Sequence, residues 1–351
     1  METWSPRLGI VYEHPEWFAP LFAGLDARGV PYDRLDASAH RFDVDAELPP
    51  WTLVLNRMSP SAYLRGHGQA IVYAREFLRY LEASGVDTIN GADAFALETS
   101  KASQLLLLRR LGLRAPRTRV INHASQAAAA AGGLRFPVAV KPNIGGSGAG
   151  IRRFDRPDEL EAAAAAGTLD LGIDHTALVQ EFLPARDGHI VRVEVLDGRV
   201  LYAIKVFPKP GGFNLCPADI CQTDGADADP RAAPAAADAV PAAGAVSADL
   251  CPVDLPKVAL RVERATPPEA VCGDALAIAR EARLDLVGIE YLVNDRDGRV
   301  YYYDINALSN FVSNAPAIIG FDPYVVLAEY LVARLGMRRA DRTDRTPVRA
   351  G

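Results

Sequence analysis

PVAVKPNIGGSGAGI, residues 137–151, runs from a short apolar segment through a lysine into a loop that holds four glycines. Backbone N–H groups approach an anion closely only where side chains are absent. Gly145, Gly146, Gly148 and Gly150 around Ser147 can therefore form a flexible, donor-lined cover for a phosphate. Lys141 adds a point charge beside it. The P-loop places its lysine after the glycines, at a helix start, whereas here the lysine leads on the strand, so this is not a Walker A site. A glycine-rich turn by itself serves hairpins as readily as nucleotides, so its neighbours decide the reading.

Lysine is scarce in this chain. Of 38 basic residues only five are lysine, at 101, 141, 205, 209 and 257, and in so Arg-rich a sequence a retained lysine points to a need for a compact ammonium. The 351 residues and 49% hydrophobic content suffice for two or three packed units. No run approaches a membrane span and no basic flank leads into an apolar signal core, so a cytoplasmic protein with no membrane partner is expected. The net charge of −6 argues against nucleic acid as a partner and favours small molecules; a homo-oligomer is compatible with this reading. Cys216, Cys221, Cys251 and Cys272 show no metal-ligand spacing and read as reduced thiols.

The first ninety residues alternate in the manner of a small βαβ-type domain. Strands are expected at Arg7–Tyr12, Tyr32–Leu35, Thr52–Leu55 and Asp87–Asn90, with helices at Trp17–Arg28 and Ala70–Ser84, the latter stopped by Gly85. A further helix, Ser100–Leu111, takes Thr99 or Ser100 as its cap and carries Lys101 in its first turn. A cation there opposes the helix dipole and gains from a nearby anion.

Two hairpins carry the second half. His189–Val206 turns at Asp197-Gly198, which puts Leu196 opposite Arg199 and brings Arg192, Glu194, Ala203 and Lys205 to one face, either functional or simply solvated. In Leu286–Asn306, Glu290 interrupts an apolar strand while Asp304 and Asn306 end its partner. Sharing a face requires an odd number of loop residues, for example Arg296-Asp297-Gly298. Carboxylate and amide oxygens on adjacent strands suit a hard cation such as Mg²⁺. From Asp224 to Pro256 the composition collapses to Ala, Pro, Asp and Gly, which predicts a disordered insertion, and the residues after Met337 read as a mobile tail.

Taken in order, the lysine at 101, the VKP-glycine loop, the QEFL segment, the Arg192 strand and the E…DIN pair resemble the ATP-grasp superfamily. The similarity is greatest to the branch of ribosomal-protein S6 glutamate ligase-like and glutathione synthetase-like enzymes, over roughly Leu8 to Leu335. The fold class that this implies is α/β and α+β: an N-terminal Rossmann-like (pre-ATP-grasp) domain over 1–90, followed by a two-subdomain ATP-grasp fold. In the latter, residues 91–183 hold the central helices and the glycine loop, and 184–335 the metal-bearing subdomain with the 224–256 insertion, before a tail at 336–351.

The resemblance also implies roles. Lys101, Lys141 and the loop Gly145, Gly146, Ser147 and Gly148 would bind the phosphates of ATP, and Gln180, Glu181, Phe182 and Leu183 would form the hinge that reads adenine. Arg192 and Lys205 would face the transferred phosphate or acyl intermediate. Glu290, Asp304 and Asn306 would hold Mg²⁺, with Mn²⁺ as an alternative; the family usually has Glu where Asp304 stands. Arg57, at a strand's C-terminal end, and Ser309 and Asn310, after the metal strand, are the candidates for contacting substrate. The expected activity joins a carboxylate, activated as an acylphosphate, to an amine or thiol. A non-catalytic nucleotide-binding protein and a kinase on the same fold are the alternatives.

Overall fold

A computed structural model describes residues 7–45, 48–146, 148–208 and 260–343. Ser147, the 224–256 insertion, the segment Phe213–Gln222, and Cys216, Cys221 and Cys251 lie outside the described residues.

The chain opens with β1 (Leu8–Tyr12), α1 (Ala19–Asp26), β2 (Tyr32–Asp36), β3 (Leu53–Asn56), α2 (Gly68–Ala83) and β4 (Asp87–Ile89). These strands form a parallel sheet in the order β2-β1-β3-β4, the α/β unit expected from the sequence. The two central strands, β1 and β3, are buried along their whole length because both faces of the sheet are covered. Leu8 and Ile10 pack with α1, whereas Val11 and Val54 pack with Ala74 and Phe77 of α2. The helix expected at Trp17–Arg28 begins as a 3₁₀ turn, Pro15–Phe18, before α1 proper.

Two helices, α3 (Ala92–Glu98) and α4 (Lys101–Arg110), lead to an antiparallel sheet built from β5 (Thr118–Ile121), β6 (Val138–Pro142), β7 (Arg152–Phe154) and β8 (Ala177–Glu181), in the order β5-β8-β6-β7. Helices α5 (Ala127–Ala130) and α6 (Pro157–Ala165) cover its apolar face through Ala127, Leu160 and Ala163. The glycine loop joins β6 to β7.

The remaining strands are β9 (Ile190–Leu196), β10 (Arg199–Phe207), β11 (Arg261–Arg264), β12 (Leu286–Val293) and β13 (Val300–Asn306). They form a second antiparallel sheet in the order β11-β10-β9-β12-β13. One face, with Val193, Val195, Val287 and Ile289, packs on Val271, Ala275 and Ile278 of α7 (Glu269–Glu281). The other is apolar at Leu196, Tyr202 and Ile204, and turns polar at Arg192, Glu194, Glu290 and Asp304.

After a short α8 (Ala315–Ile319), helix α9 (Pro323–Thr343) returns to the first unit, where Leu327 and Leu331 join the core shared with α1. Arg334 donates to Asp87 at 2.8 Å and to Asp285 at 3.4 Å, tying the helix to β4 and to the start of β12. The helix runs to Thr343, into the stretch read from sequence as a flexible tail. Among the described residues, no helix is long and apolar enough to cross a membrane.

Candidate active site

A cleft of about 420 Å³ lies between the two antiparallel sheets. Gly145, Gly146 and Gly148 line it above. Arg192, Glu290, Asp304 and Asn306 form its floor, and Gln180 to Leu183 its hinge end. The first unit closes a third side with Trp17, Ser59 and Ser61. A Cβ on Gly146 would come within 3.1 Å of Ser61 Cβ, so the loop lies directly on this wall.

Both site lysines point into one end of the cleft. Ser100 caps α4 by accepting from Ser103 N–H at 3.2 Å, and Asn143 Oδ1 accepts from Ala102 N–H at 3.0 Å, so the helix N-terminus is saturated by protein groups. The anion that offsets Lys101 is Asp304, to which its Nζ donates. Burial works against charge on Lys101, but Asp304 outweighs it and raises the ammonium pKa. Burial likewise opposes ionisation of Asp304, yet Lys101 and Lys141 hold its carboxyl below the usual range. Lys141, on β6 and 6% exposed, has no such close partner among the described residues, and burial together with Lys101 depresses it to about 8.

Arg192 sits at the centre of the floor. Its Nε donates to Glu194 at 2.7 Å, Nη1 to Glu290 at 3.3 Å and Nη2 to Ser309 Oγ at 2.5 Å, while the Ser309 hydroxyl donates to Glu194. Arg192 and Glu194 are 4% and 0% exposed, so the hairpin face is an internal ion network and not a solvated surface. Gly288 opposes Glu194 on β12 and leaves room for these side chains against the strand. Burial pushes the Glu290 carboxyl up to about 7 despite Arg192. Asn306 Nδ2 donates to Glu290 Oε1 at 3.4 Å.

Two expectations about register need correction. In the first hairpin the turn is as expected, with Arg199 opposite Leu196, but an extra residue near Leu201 shifts the pairing so that Ile204 faces Arg192 and Lys205 faces Val191. Lys205 is therefore on the α7 face, away from the cleft. In the second hairpin Glu290 and Asp304 do pair, but not through a three-residue loop. Val293 pairs with Val300, and a bulge between Tyr302 and Asp304 supplies the offset. Gly298 is in the left-handed conformation at φ 71°, as expected.

Of the substrate candidates, Asn310 lines the cleft. Arg57 and Ser309 lie behind its wall: the Arg57 guanidinium, 1% exposed, sits over Phe18 and donates through Nη2 to the Ser309 carbonyl at 2.7 Å. At the hinge, Gln180 donates to Thr118 Oγ1 at 2.8 Å and Glu181 accepts from Arg135 N–H at 2.9 Å, so both side chains are held within the sheet. Glu98 was not among the expected residues. It lines the cleft, accepts from Ala307 N–H, and burial raises it to about 7. A lone acid in the apolar run AFALE is the signal that could have found it. Trp17, Ser59 and Ser61 carry no comparable mark.

Comparison with known proteins agrees with this geometry. Residues 98–258 match the RimK-like ATP-grasp domain. A probable alpha-L-glutamate ligase 1 of Pseudoalteromonas atlantica is 28% identical over 242 residues, covering 65% of this chain and 75% of the relative. A D-alanine–D-alanine ligase of Geobacter sulfurreducens is 30% identical over 129 residues, covering 36% of this chain and 39% of that one. A solved structure of the ATP-grasp ligase PsnB, complexed with a phosphomimetic variant of minimal precursor, Mg and ADP, aligns with 93% of this chain and 98% of its own. The TM-score is 0.60 and the identity 19%, so this likeness speaks to the fold.

Proposed function

We propose that this chain, whose residues 98–258 match the RimK-like ATP-grasp domain, is an ATP- and Mg²⁺-dependent ligase that joins a carboxylate to an amine. The observation that carries the reading is the convergence in one glycine-covered cleft of two buried lysines, Lys101 and Lys141, with the acid pair Glu290 and Asp304.

Lys141 and Lys101 hold the polyphosphate, and the glycine loop covers it with backbone N–H groups. The hinge segment Gln180–Leu183 seats adenine. Glu290, Asp304 and Asn306 are the cation ligands. Their donor set fits: all offer oxygen, Glu290 and Asp304 stand opposite each other on adjacent strands, and Asn306 lies beside Glu290. Among the described residues no cluster of three or more His, Cys, Asp or Glu could hold a metal. Three such oxygens suit an ion that takes few protein ligands and would fill its shell with phosphate and water, as Mg²⁺ does and Mn²⁺ can. When bound, that ion neutralises charge on the transferred phosphoryl group.

Arg192 is fixed by Glu194 and Ser309 with one face toward the cleft, where it stabilises charge developing on phosphoryl and acyl oxygens. A carboxylate oxygen attacks the γ-phosphorus, the bond to the bridging oxygen breaks and ADP leaves. The amine then attacks the acyl carbon, phosphate departs and the nitrogen loses a proton. The wall of Trp17, Ser59, Ser61 and Asn310 is where these two reactants meet. Arg57 acts indirectly, by holding the Ser309 carbonyl.

The test is incubation with ATP, Mg²⁺, hydroxylamine and a pool of amino acids and small or peptide-borne carboxylates, reading ADP release together with hydroxamate masses. A carboxylate-dependent hydroxamate supports the ligase and identifies the acid. Phosphate retained on a hydroxyl would make the protein a kinase, and binding without ADP release would make it non-catalytic.

A further inference from the structure

Among the described residues strand β13 ends its sheet, so the outward backbone groups between Asp304 and Ala307 have no neighbouring strand. Left unpaired in the interior, they would be costly and the strand end would be free to shift. Side chains from the α3–α4 region take the place of that strand. Gln104, on α4 and 2% exposed, donates from Nε2 to Ile305 O at 2.9 Å and accepts at Oε1 from Ile305 N–H at 3.2 Å, the pair of bonds a β-strand residue would make. Its Nε2 also donates to Leu97 O at 3.2 Å, which fixes the orientation of the amide. Two residues on, Glu98 accepts from Ala307 N–H and Asn90 Nδ2 donates to Ala307 O at 2.6 Å.

Ile305 stands between Asp304 and Asn306 and faces the opposite core, so any movement of its peptide carries both polar side chains with it. Gln104 lies one turn along the helix that begins with Lys101, the partner of Asp304. A single rigid helix thus holds both the ammonium and the backbone of the strand it pairs with.

We infer that Gln104 is a positioning residue for the cation ligands Asp304 and Asn306; the inference rests on the function proposed above. Gln104→Met keeps length and volume and removes both bonds to Ile305. Gln104→Leu keeps the volume with a branched end and likewise offers neither donor nor acceptor to Ile305. Leu108→Ala, on the same helix and fully buried but outside these bonds, is the control for general loosening.

The experiment is calorimetric titration of each full-length protein with ADP, with and without Mg²⁺, with folding verified by circular dichroism. Both Gln104 variants are expected to bind metal-free ADP within about twofold of wild type while the Mg²⁺ enhancement falls about tenfold or more, and Leu108→Ala to keep the enhancement. Full enhancement in either folded Gln104 variant, or an equal loss in Leu108→Ala, overturns the inference. If wild type binds ADP with no help from Mg²⁺, the cation reading fails first and the inference with it.

Discussion

Gly288 gives Ser309 its place: a Cβ at 288 would stand 2.7 Å from Ser309 Oγ, 2.6 Å from Arg192 Nε and 2.8 Å from Glu194 Oε1. All three atoms belong to one buried network, so none can retreat without breaking a charged hydrogen bond. Gly288→Ala is expected to destabilise the protein by about 1–3 kcal/mol, as overpacking does, and to lower ATP turnover in proportion to the displacement of Arg192. Urea unfolding and ADP release measure the two effects. Wild-type values in both would show that the network is softer than its geometry.

Lys141→Ala and Glu290→Ala each remove one charge from the cleft and leave the backbone pairing of β6 and of β12 in place. Each is expected to lower turnover by about a hundredfold or more, on the scale of losing one preorganised electrostatic group, with an unchanged far-ultraviolet circular dichroism spectrum. Full activity in either variant would refute the site assignment.

The pH dependence of nucleotide binding follows from Lys141. Burial and Lys101 depress its ammonium from 10.5 to about 8. Between those values the unfolded chain binds the extra proton, so this group makes stability rise with pH across that window, and below it the charged form costs roughly 3 kcal/mol. A polyphosphate favours the ammonium and raises its pKa again. ADP binding at pH 9 should therefore take up a proton that binding near pH 7, where Lys141 is already charged, does not. Titrations in buffers of different ionisation enthalpy read this directly, and Lys141→Ala should abolish it; the same uptake at both pH values would exclude Lys141 as its source.

Lys205→Ala tests the register of the first hairpin. With Lys205 opposite Val191 and on the α7 face, its loss should leave turnover within about twofold of wild type, as for surface substitutions away from a site. A drop of the size expected for Lys141→Ala would return Lys205 to the cleft and refute the bulge at Leu201.

The parts of the fold that could be read from sequence are those where one residue type has one use. Lys141 before four glycines, Asp197-Gly198 at a turn and the isolated Glu290 each led to the right element. Bulges defeated the same reasoning, because an extra residue at Leu201 or Tyr303 brings no glycine or proline to announce it. One bulge turned Lys205 away from Arg192. The other brought Asp304 opposite Glu290 when the loop alone would have separated them. Gln104 and Trp17 were hidden for another reason: their partners are distant in the chain, and only packing joins them.

The contact between Gly146 and Ser61 bears on timing. A loop that hangs free over a cleft opens on its own, on the fast scale of loop fluctuation. Here the loop rests on a wall that belongs to the parallel-sheet unit, whose own packing runs through α1 to α9. Opening the cleft on this side therefore requires the loop and that unit to part, a coupled movement and not a flexing of the glycines alone.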